Sequence, residues 1–537
     1  MSESATKPMV TATLDGRTVT VPKGTTILQA AETVGVWVPH YCYHPGLSSP
    51  AQCRLCLVEV QGAPKLAPSC VTELQEGQVV HTESPKAKEM RQGVLEFYLA
   101  NHPLDCPVCD QSGECKLQDY VHAEGRVHGR SREPKRGFGR DDYGRDVLFY
   151  GDRCGRCTRC VRFMDEVAKD PRLTVVERGN RSVIDTFFEE GLQGSAFAGN
   201  IVDICPVGAL VSKDFLHKAR AWDLDHSPSV CPNCSQGCNI DLHVRDDVVQ
   251  RLRPRANLEV NHHWMCDYGR HRYEWMNRQD RIEVPVVGSS ADGVALEWGL
   301  ALRQVADRLA NAPQPVMAVA SASSSNEDLG ALAHLVRALG GGEIVFRSER
   351  AEKEIPLPGF PTLTRRYDLV PNRMGAEILG MTRVGKDDGT GGLEGWAAHR
   401  GTLLVLGDEL RDVGVDFGPS AGLYVYLGSY PTPAASSAHA VLPVTTFAEG
   451  EGTFANVEGR VQRFWPGVRP PGLARPAWLV LAALVERLGG AAVPESAEAA
   501  FLRVAELAPE LQGLTYEAIG TQGALLNEPV ALPGSRS

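Results

Sequence analysis

The stretch DRCGRCTRCVRFMDE, residues 152–166, decides how the first half of the chain is read. Its cysteines Cys154, Cys157 and Cys160 follow the C-x2-C-x2-C spacing that sets three thiolates around one 4Fe-4S cluster. In a two-cluster ferredoxin such a run continues with x3-Cys-Pro, but those positions here hold Met164 and Asp165. The fourth cysteine of each run ligates the other cluster, so the missing ligand is expected from a distant Cys-Pro pair. Residues 195–210, SAFAGNIVDICPVGAL, supply it as Cys205-Pro206. The positions that would carry the rest of a second run hold Ser195, Ala198 and Ile201. One 4Fe-4S cluster on Cys154, Cys157, Cys160 and Cys205 is predicted, beside a second site filled by side chains.

The chain of 537 residues has 15 cysteines, none of them after Cys266. The N-terminal MSESATKPMV has no long apolar stretch of the kind a secretory signal needs, so a reducing compartment is expected. There, close cysteine spacings point to metal rather than to disulfides. A first group, Cys42-x10-Cys53-x2-Cys56-x13-Cys70, sits on a loop before the strand-like LVEV and suits a 2Fe-2S cluster, with structural zinc as the alternative. A second, Cys106-x2-Cys109-x5-Cys115, is one ligand short. His102 in NHPLDC is the nearest candidate, and the alternative is a capping or core histidine beside a 3Fe or zinc site. A last group, Cys231-x2-Cys234-x3-Cys238-x27-Cys266, is a complete tetrad for another 4Fe-4S cluster, again with zinc as the alternative. With these groups every cysteine is used once and a single vacancy remains, which favours His102 as a ligand.

Composition narrows the rest. A net charge of −11 gives no support for a nucleic-acid partner. WLVLAALVERL (478–488) is far short of a membrane span, so no direct span is expected. Neither GxGxxG in a strand–helix unit nor GxxxxGK[ST] occurs, so no nucleotide motif is present. Residues 11–21 alternate and reach PKG, which reads as a hairpin, and TILQAAETVGV (26–36) reads as a helix capped by Thr25 or Thr26. A further helix is expected over 87–103, stopped by Pro103. The basic, Gly-rich residues 125–141 read as a solvated loop, or more sharply as a docking loop for an acidic partner. From about residue 284 helical runs such as 297–310 alternate with strand-like 315–320, 343–347 and 402–408, the pattern of an α/β region with a largely parallel sheet. GEGTFANVEGR (450–460) reads as a plain loop, with a cofactor-backbone contact as the alternative, and His226, His262 and His263 read as structural or exposed histidines, with a pH-responsive or ligand-supporting role as the alternative.

The stretches YCYHPGLSSPAQCRLCLVEV, NHPLDCPVCDQSGECKLQD, DRCGRCTRCVRF, GNIVDICPVGAL and CPNCSQGCNI…WMCDYGR together resemble the large iron–sulfur subunit (subunit 3) of bacterial respiratory complex I, NADH–quinone oxidoreductase. The resemblance implies one 2Fe-2S cluster on Cys42, Cys53, Cys56 and Cys70, and three 4Fe-4S clusters. These would sit on His102 with Cys106, Cys109 and Cys115, on Cys154, Cys157, Cys160 and Cys205, and on Cys231, Cys234, Cys238 and Cys266, the last off the main electron path. It implies a multidomain α+β and α/β fold. A β-grasp 2Fe-2S ferredoxin-like domain (1–85) comes first, then a domain for the 4Fe-4S cluster with one histidine and three cysteine ligands (86–125). A basic linker (126–149) leads to a bacterial-ferredoxin-like domain with a degenerate second site (150–225). An additional 4Fe-4S domain like that of molybdopterin oxidoreductases (226–283) and a shortened molybdopterin-oxidoreductase-like α/β scaffold (284–537) complete it. No molybdenum cofactor is expected, because Tyr268-Gly269-Arg270 replaces the Lys-Gly-Arg of active relatives and no cysteine follows to ligate the metal. The implied partners are peripheral-arm subunits: one that binds NADH and carries FMN, and iron–sulfur subunits on the quinone side. The implied place is peripheral, on the cytoplasmic face of the cell membrane. The iron–sulfur part of a formate dehydrogenase or NAD-reducing hydrogenase is the alternative.

Overall fold

The structure is a computed structural model that describes residues 8–288, 293–407, 410 and 412–526. Residues 1–7 of the first expected domain, Asp408 of an expected strand and residues 527–537 of the last region lie outside the described residues. The chain divides into two compact units, Met1–Leu224 with Leu357–Phe360, and Asp225–Pro356 with Pro361–Ser537.

The first unit opens with a five-stranded sheet in the order Arg17–Pro22, Met9–Leu14, Val79–His81, Leu57–Val60, Ala67–Pro68. The first two strands form the expected hairpin, but its turn is Asp15-Gly16, both at positive φ, rather than PKG. Met9–Leu14 then pairs in parallel with Val79–His81. Thr26 caps the helix Ile27–Thr33 in a reciprocal box with Gln29. Its apolar face, Ile27, Leu28, Ala30 and Ala31, packs on Leu14, Val19, Val58 and Val80. The helix Pro85–Asn101 is capped by Ser84 and ends at His102, before Pro103. Buried Arg91 fastens it, donating to the Thr82 carbonyl at 2.7 Å and to Glu124 of the helix Lys116–Glu124. Residues 125–139 have no regular structure and are largely exposed, as expected of a solvated loop.

In the second unit, strands Asp225–Val230, Asn239–Arg245 and Val248–Pro254 make an antiparallel sheet. The unit also holds an eight-stranded sheet whose six consecutive strands Ala440–Pro443, Leu423–Gly428, Thr402–Leu406, Val316–Ser321, Gly342–Arg347 and Thr382–Arg383 are all parallel. Strands buried on both faces read as continuous apolar runs, which is why the sequence exposes them. One face packs Leu404, Val425 and Leu427 against helices Asn326–Ala338 and Ala477–Arg487, the latter the apolar run 478–488. No helix among the described residues is long and apolar enough to cross a membrane.

The reading of 450–460 as a plain loop is corrected. Gly452–Ala455 and Arg460–Phe464 form an antiparallel hairpin. Its glycines carry the loop signal, but Gly452 is a close approach: a Cβ there would stand 2.8 Å from Ser325 Cβ and 2.9 Å from the Glu327 carboxylate. Gly459, at φ +75°, makes the turn.

Candidate metal centres

The first set collects Cys42, Cys53, Cys56 and Cys70, all buried. Cys53 and Cys70 both hydrogen-bond Cys42, and Cys56 bonds Cys70, so the four thiols form one chain of contacts. The Tyr41 N–H donates to Cys53 Sγ at 3.5 Å. The hydrogen bond with Cys42 and then burial push the Cys53 thiol well up, whereas the bond from Cys70 brings Cys56 down.

In the second set His102 is the C-cap of the helix Pro85–Asn101. Cys106 opens a 3-10 turn and Cys115 is the N-cap of Lys116–Glu124. Cys109 and Cys115 are buried and Cys106 is exposed. Burial raises the Cys109 and Cys115 thiols, and both feel Cys106. Burial lowers His102, with Arg153 and Lys135 adding to it, so the imidazole is neutral at pH 7 and has a lone pair to give.

In the third set Cys205 lies at the end of the helix Asn200–Ile204, and its thiol donates to the Val207 carbonyl at 3.0 Å. Burial lifts Cys154 to about 12 and Cys205 to about 11, and Cys160 feels the charges of Cys154, Cys157 and Cys205 together. Cys154, Cys157 and Cys205 thus all lie within electrostatic range of Cys160. At the positions where a second run would carry its cysteines, Met164, Ala198 and Ile201 are fully buried and Ser195 nearly so. The second and third sets share a wall. Lys116 N–H donates to the Pro206 carbonyl at 3.0 Å, and a Cβ on Gly208 would stand 2.2 Å from Cys109 Sγ.

In the fourth set, in the second unit, Cys231, Cys234, Cys238 and Cys266 are each 4% exposed. Cys231 N–H bonds the Cys238 carbonyl at 2.8 Å and Gly269 N–H reaches Cys266 Sγ at 3.3 Å. A Cβ at Gly269 would come within 3.0 Å of Cys231 Sγ, so glycine here lets the backbone close over the thiols. Tyr268 is flanked by cations: Arg272 and Arg365 lie 4.8 and 5.4 Å from its ring centre.

No group of three or more His, Cys, Asp or Glu among the described residues converges closely enough to hold a single ion. The fit is instead that of mostly buried thiols that would release their protons on binding a cationic group, with backbone N–H donors already turned toward sulfur. A cavity of about 480 Å³ in the first unit is lined by Cys53, Cys154, Cys157 and His102, together with Tyr41, Tyr98 and Arg153, so one space touches three sets. A second cavity of about 320 Å³ opens at the C-terminal ends of the parallel strands, near Ser321, Arg347 and Gly407.

Of the other histidines, His226 stacks on His243 at 3.9 Å between paired strands, and His262 meets His263 edge-on. Both pairs suit the structural role expected of them. Sequence reasoning passed over Arg153, Arg159 and Arg162. Their signal was in view, because arginines at 153, 156, 159 and 162 alternate with the third cysteine run.

Family models match most of the chain. A 2Fe-2S iron-sulfur cluster binding domain matches residues 7–85, and the NADH-ubiquinone oxidoreductase-G iron-sulfur binding region matches 91–130. The ferredoxin-like domain of NADH-quinone oxidoreductase subunit 3 matches 144–211. The Fe4S4 domain of molybdopterin oxidoreductases matches 225–278, and the molybdopterin oxidoreductase model itself matches 404–487. The NADH-quinone oxidoreductase G subunit of Rickettsia conorii is 39% identical over 334 residues, covering 62% of this chain and 49% of that protein. The mitochondrial 78 kDa subunit of NADH-ubiquinone oxidoreductase of Candida albicans is 31% identical over 619 residues, covering 94% of this chain and 86% of that one. The chain thus spans about half the length of the rickettsial relative it matches. Among solved structures, an NAD+-reducing [NiFe]-hydrogenase chain is 31% identical with a TM-score of 0.36, covering 39% of this chain and 90% of that one.

Proposed function

The chain belongs to the family of the large iron–sulfur subunit of NADH–quinone oxidoreductase and its mitochondrial counterparts, and from that premise we propose that it is an electron-transfer subunit carrying electrons from a flavin-bearing partner toward quinone. Cys42, Cys53, Cys56 and Cys70 hold a 2Fe-2S cluster. His102 with Cys106, Cys109 and Cys115 holds a 4Fe-4S cluster, as do Cys154, Cys157, Cys160 and Cys205, and Cys231, Cys234, Cys238 and Cys266. Such groups, when bound, take up and release single electrons. The residues of this chain bury most of the thiols, orient them, and offer N–H donors to sulfur from Tyr41 and Gly269. The observation that carries the reading is the cavity in which Cys53, Cys154, Cys157 and His102 share one space, because electron transfer needs its stations close together.

The fourth set stands in the other compact unit and serves off the main route. No molybdenum cofactor works in the α/β region, which acts as a scaffold. The residue before Gly269 is Tyr268, whose ring is taken up by two arginines, and no cysteine follows Cys266. The partners are the NADH- and FMN-binding subunit and the iron–sulfur subunits on the quinone side of complex I, with the whole arm peripheral on the cytoplasmic face of the membrane.

Metal analysis with EPR of the reduced protein tests this. About fourteen iron atoms per chain are expected from one 2Fe-2S and three 4Fe-4S clusters. Cys205→Ser should remove one 4Fe-4S signal and leave that of the His102 set. Zinc with little iron would end the reading, and loss of both signals in an assembled protein would overturn the assignment of Cys205.

A further inference from the structure

Three arginines of the third cysteine run reach out of their own site and into the others. Arg162 donates through Nη2 to the Cys42 carbonyl at 2.6 Å and to the Cys157 carbonyl at 3.3 Å, and through Nη1 to the Ser48 carbonyl. One guanidinium thus spans the backbone of a first-set and a third-set cysteine. Arg159, 8% exposed, donates to the Tyr43 carbonyl and, at 3.1 Å, to Ile204 beside Cys205. Its Nε is buried with no hydrogen-bond partner among the described residues. Arg153, 5% exposed, turns the other way. It grips Asp105, next to Cys106, at 2.9 and 3.0 Å, and its guanidinium lies 4.1 Å from the Tyr150 ring centre.

Buried cations are costly unless something negative stands near them. Arg153 has the Asp105 carboxylate. Arg159 donates to carbonyls, and Arg162 to carbonyls and the Thr158 hydroxyl, within the field of Glu166. What they share is position, on the seams between sets of thiolates. A cation there stabilises the more negative, reduced form of whatever the thiolates hold, and so raises its reduction potential.

We infer that Arg153, Arg159 and Arg162 are positioning residues for electron transfer: they pin the first and second sets to the third and hold the potentials across each seam up, most of all in the third set, which all three face. The inference rests on the proposed iron–sulfur reading and adds which residues tune it. It also accounts for the alternation of Arg and Cys through 153–162, since each reaching arginine lies within two residues of a ligand.

Potentiometric EPR titration of the metal-loaded full chain tests it by pattern. Arg162→Gln should shift the first and third sets to lower potential and leave the His102 set in place. Arg153→Gln should lower the third and His102 sets and leave the first. Lysine at either position should restore most of the shift. Glu166 accepts from the Ser48 N–H at 2.9 Å and from the Ser48 hydroxyl, so Glu166→Gln removes an opposing charge without removing an acceptor of Arg162, and it should shift the first and third sets upward. Unmoved potentials in that variant, or an equal shift of all signals in the arginine variants, overturn the inference, whether or not Arg162→Gln loads well. If the wild-type protein shows no iron–sulfur signal, it is the proposed function that fails.

Discussion

Residues 86–224 and residues 293–526 stay folded by different means. The later region has a parallel sheet with apolar side chains packed on both faces. The earlier one has short strands, 3-10 turns and loops around thiols, and much of what it buries is polar: Arg91, Arg153, Arg159, Asn200 and cysteines. An apolar core stabilises itself, whereas a shell of buried thiols and arginines depends on what the thiols bind. The comparison teaches that one chain can encode both an apolar-cored sheet region and a thiol-lined region, each with its own sequence signature.

The largest effect should follow from taking the metal away. Chelating iron from the full chain should leave the amides of Val316–Ser321, Thr402–Leu406 and Leu423–Gly428 protected from hydrogen exchange, while those of 140–222 lose protection. Equal loss in both regions, or none in 140–222, would break the comparison.

The same contrast explains what could be read from sequence. The parallel strands were legible because a strand buried on both faces is a continuous apolar run, and TLLVL could hardly be anything else. The cysteine groups were legible because spacing is local within each run, and the Cys-Pro pair is what drew the distant Cys205 into the third group. The hairpin at 452–464 was hidden because Gly452 serves close packing against Ser325 and Glu327, a tertiary cause with no local mark. The reach of Arg153, Arg159 and Arg162 was hidden for a similar reason. Their acceptors are mostly backbone carbonyls more than 40 residues away, and a carbonyl has no letter in a sequence.

A smaller effect sharpens the scaffold side of the comparison. Glu327 is buried in the second unit and accepts from Thr453 N–H and Oγ1, both at 2.9 Å, and from the Tyr516 hydroxyl at 2.8 Å. Burial outweighs these bonds and lifts its carboxyl from 4.5 to about 7. The folded state therefore keeps a proton that the unfolded chain releases. This stability is full below about pH 4.5, falls as pH rises and levels off above about 7, for a change of about 3 kcal/mol. Protection of the 402–406 and 423–428 amides, corrected for intrinsic exchange, should fall between pH 5 and pH 8, and Glu327→Gln should flatten that fall. A wild-type profile no steeper than that of Glu327→Gln would rule the mechanism out.

The smallest effect compares two serine caps. Ser84 Oγ accepts from Ala87 N–H at 3.2 Å and Ser325 Oγ accepts from Asp328 N–H at 3.0 Å, each at the start of a long helix. Loss of either hydrogen bond to alanine costs about 1 kcal/mol. The helix after Ser325 belongs to the continuous core, so Ser325→Ala should lower protection across the parallel sheet as a whole. The helix after Ser84 ends at His102, a proposed cluster ligand, and is fastened along its length by Arg91, so Ser84→Ala in the loaded protein should loosen only its first turn. After chelation the same substitution should spread, because the far-end restraint is gone. If Ser84→Ala already lowers protection throughout 140–222 while iron is bound, then apolar packing rather than metal couples that region, and the two halves differ less than their architecture suggests.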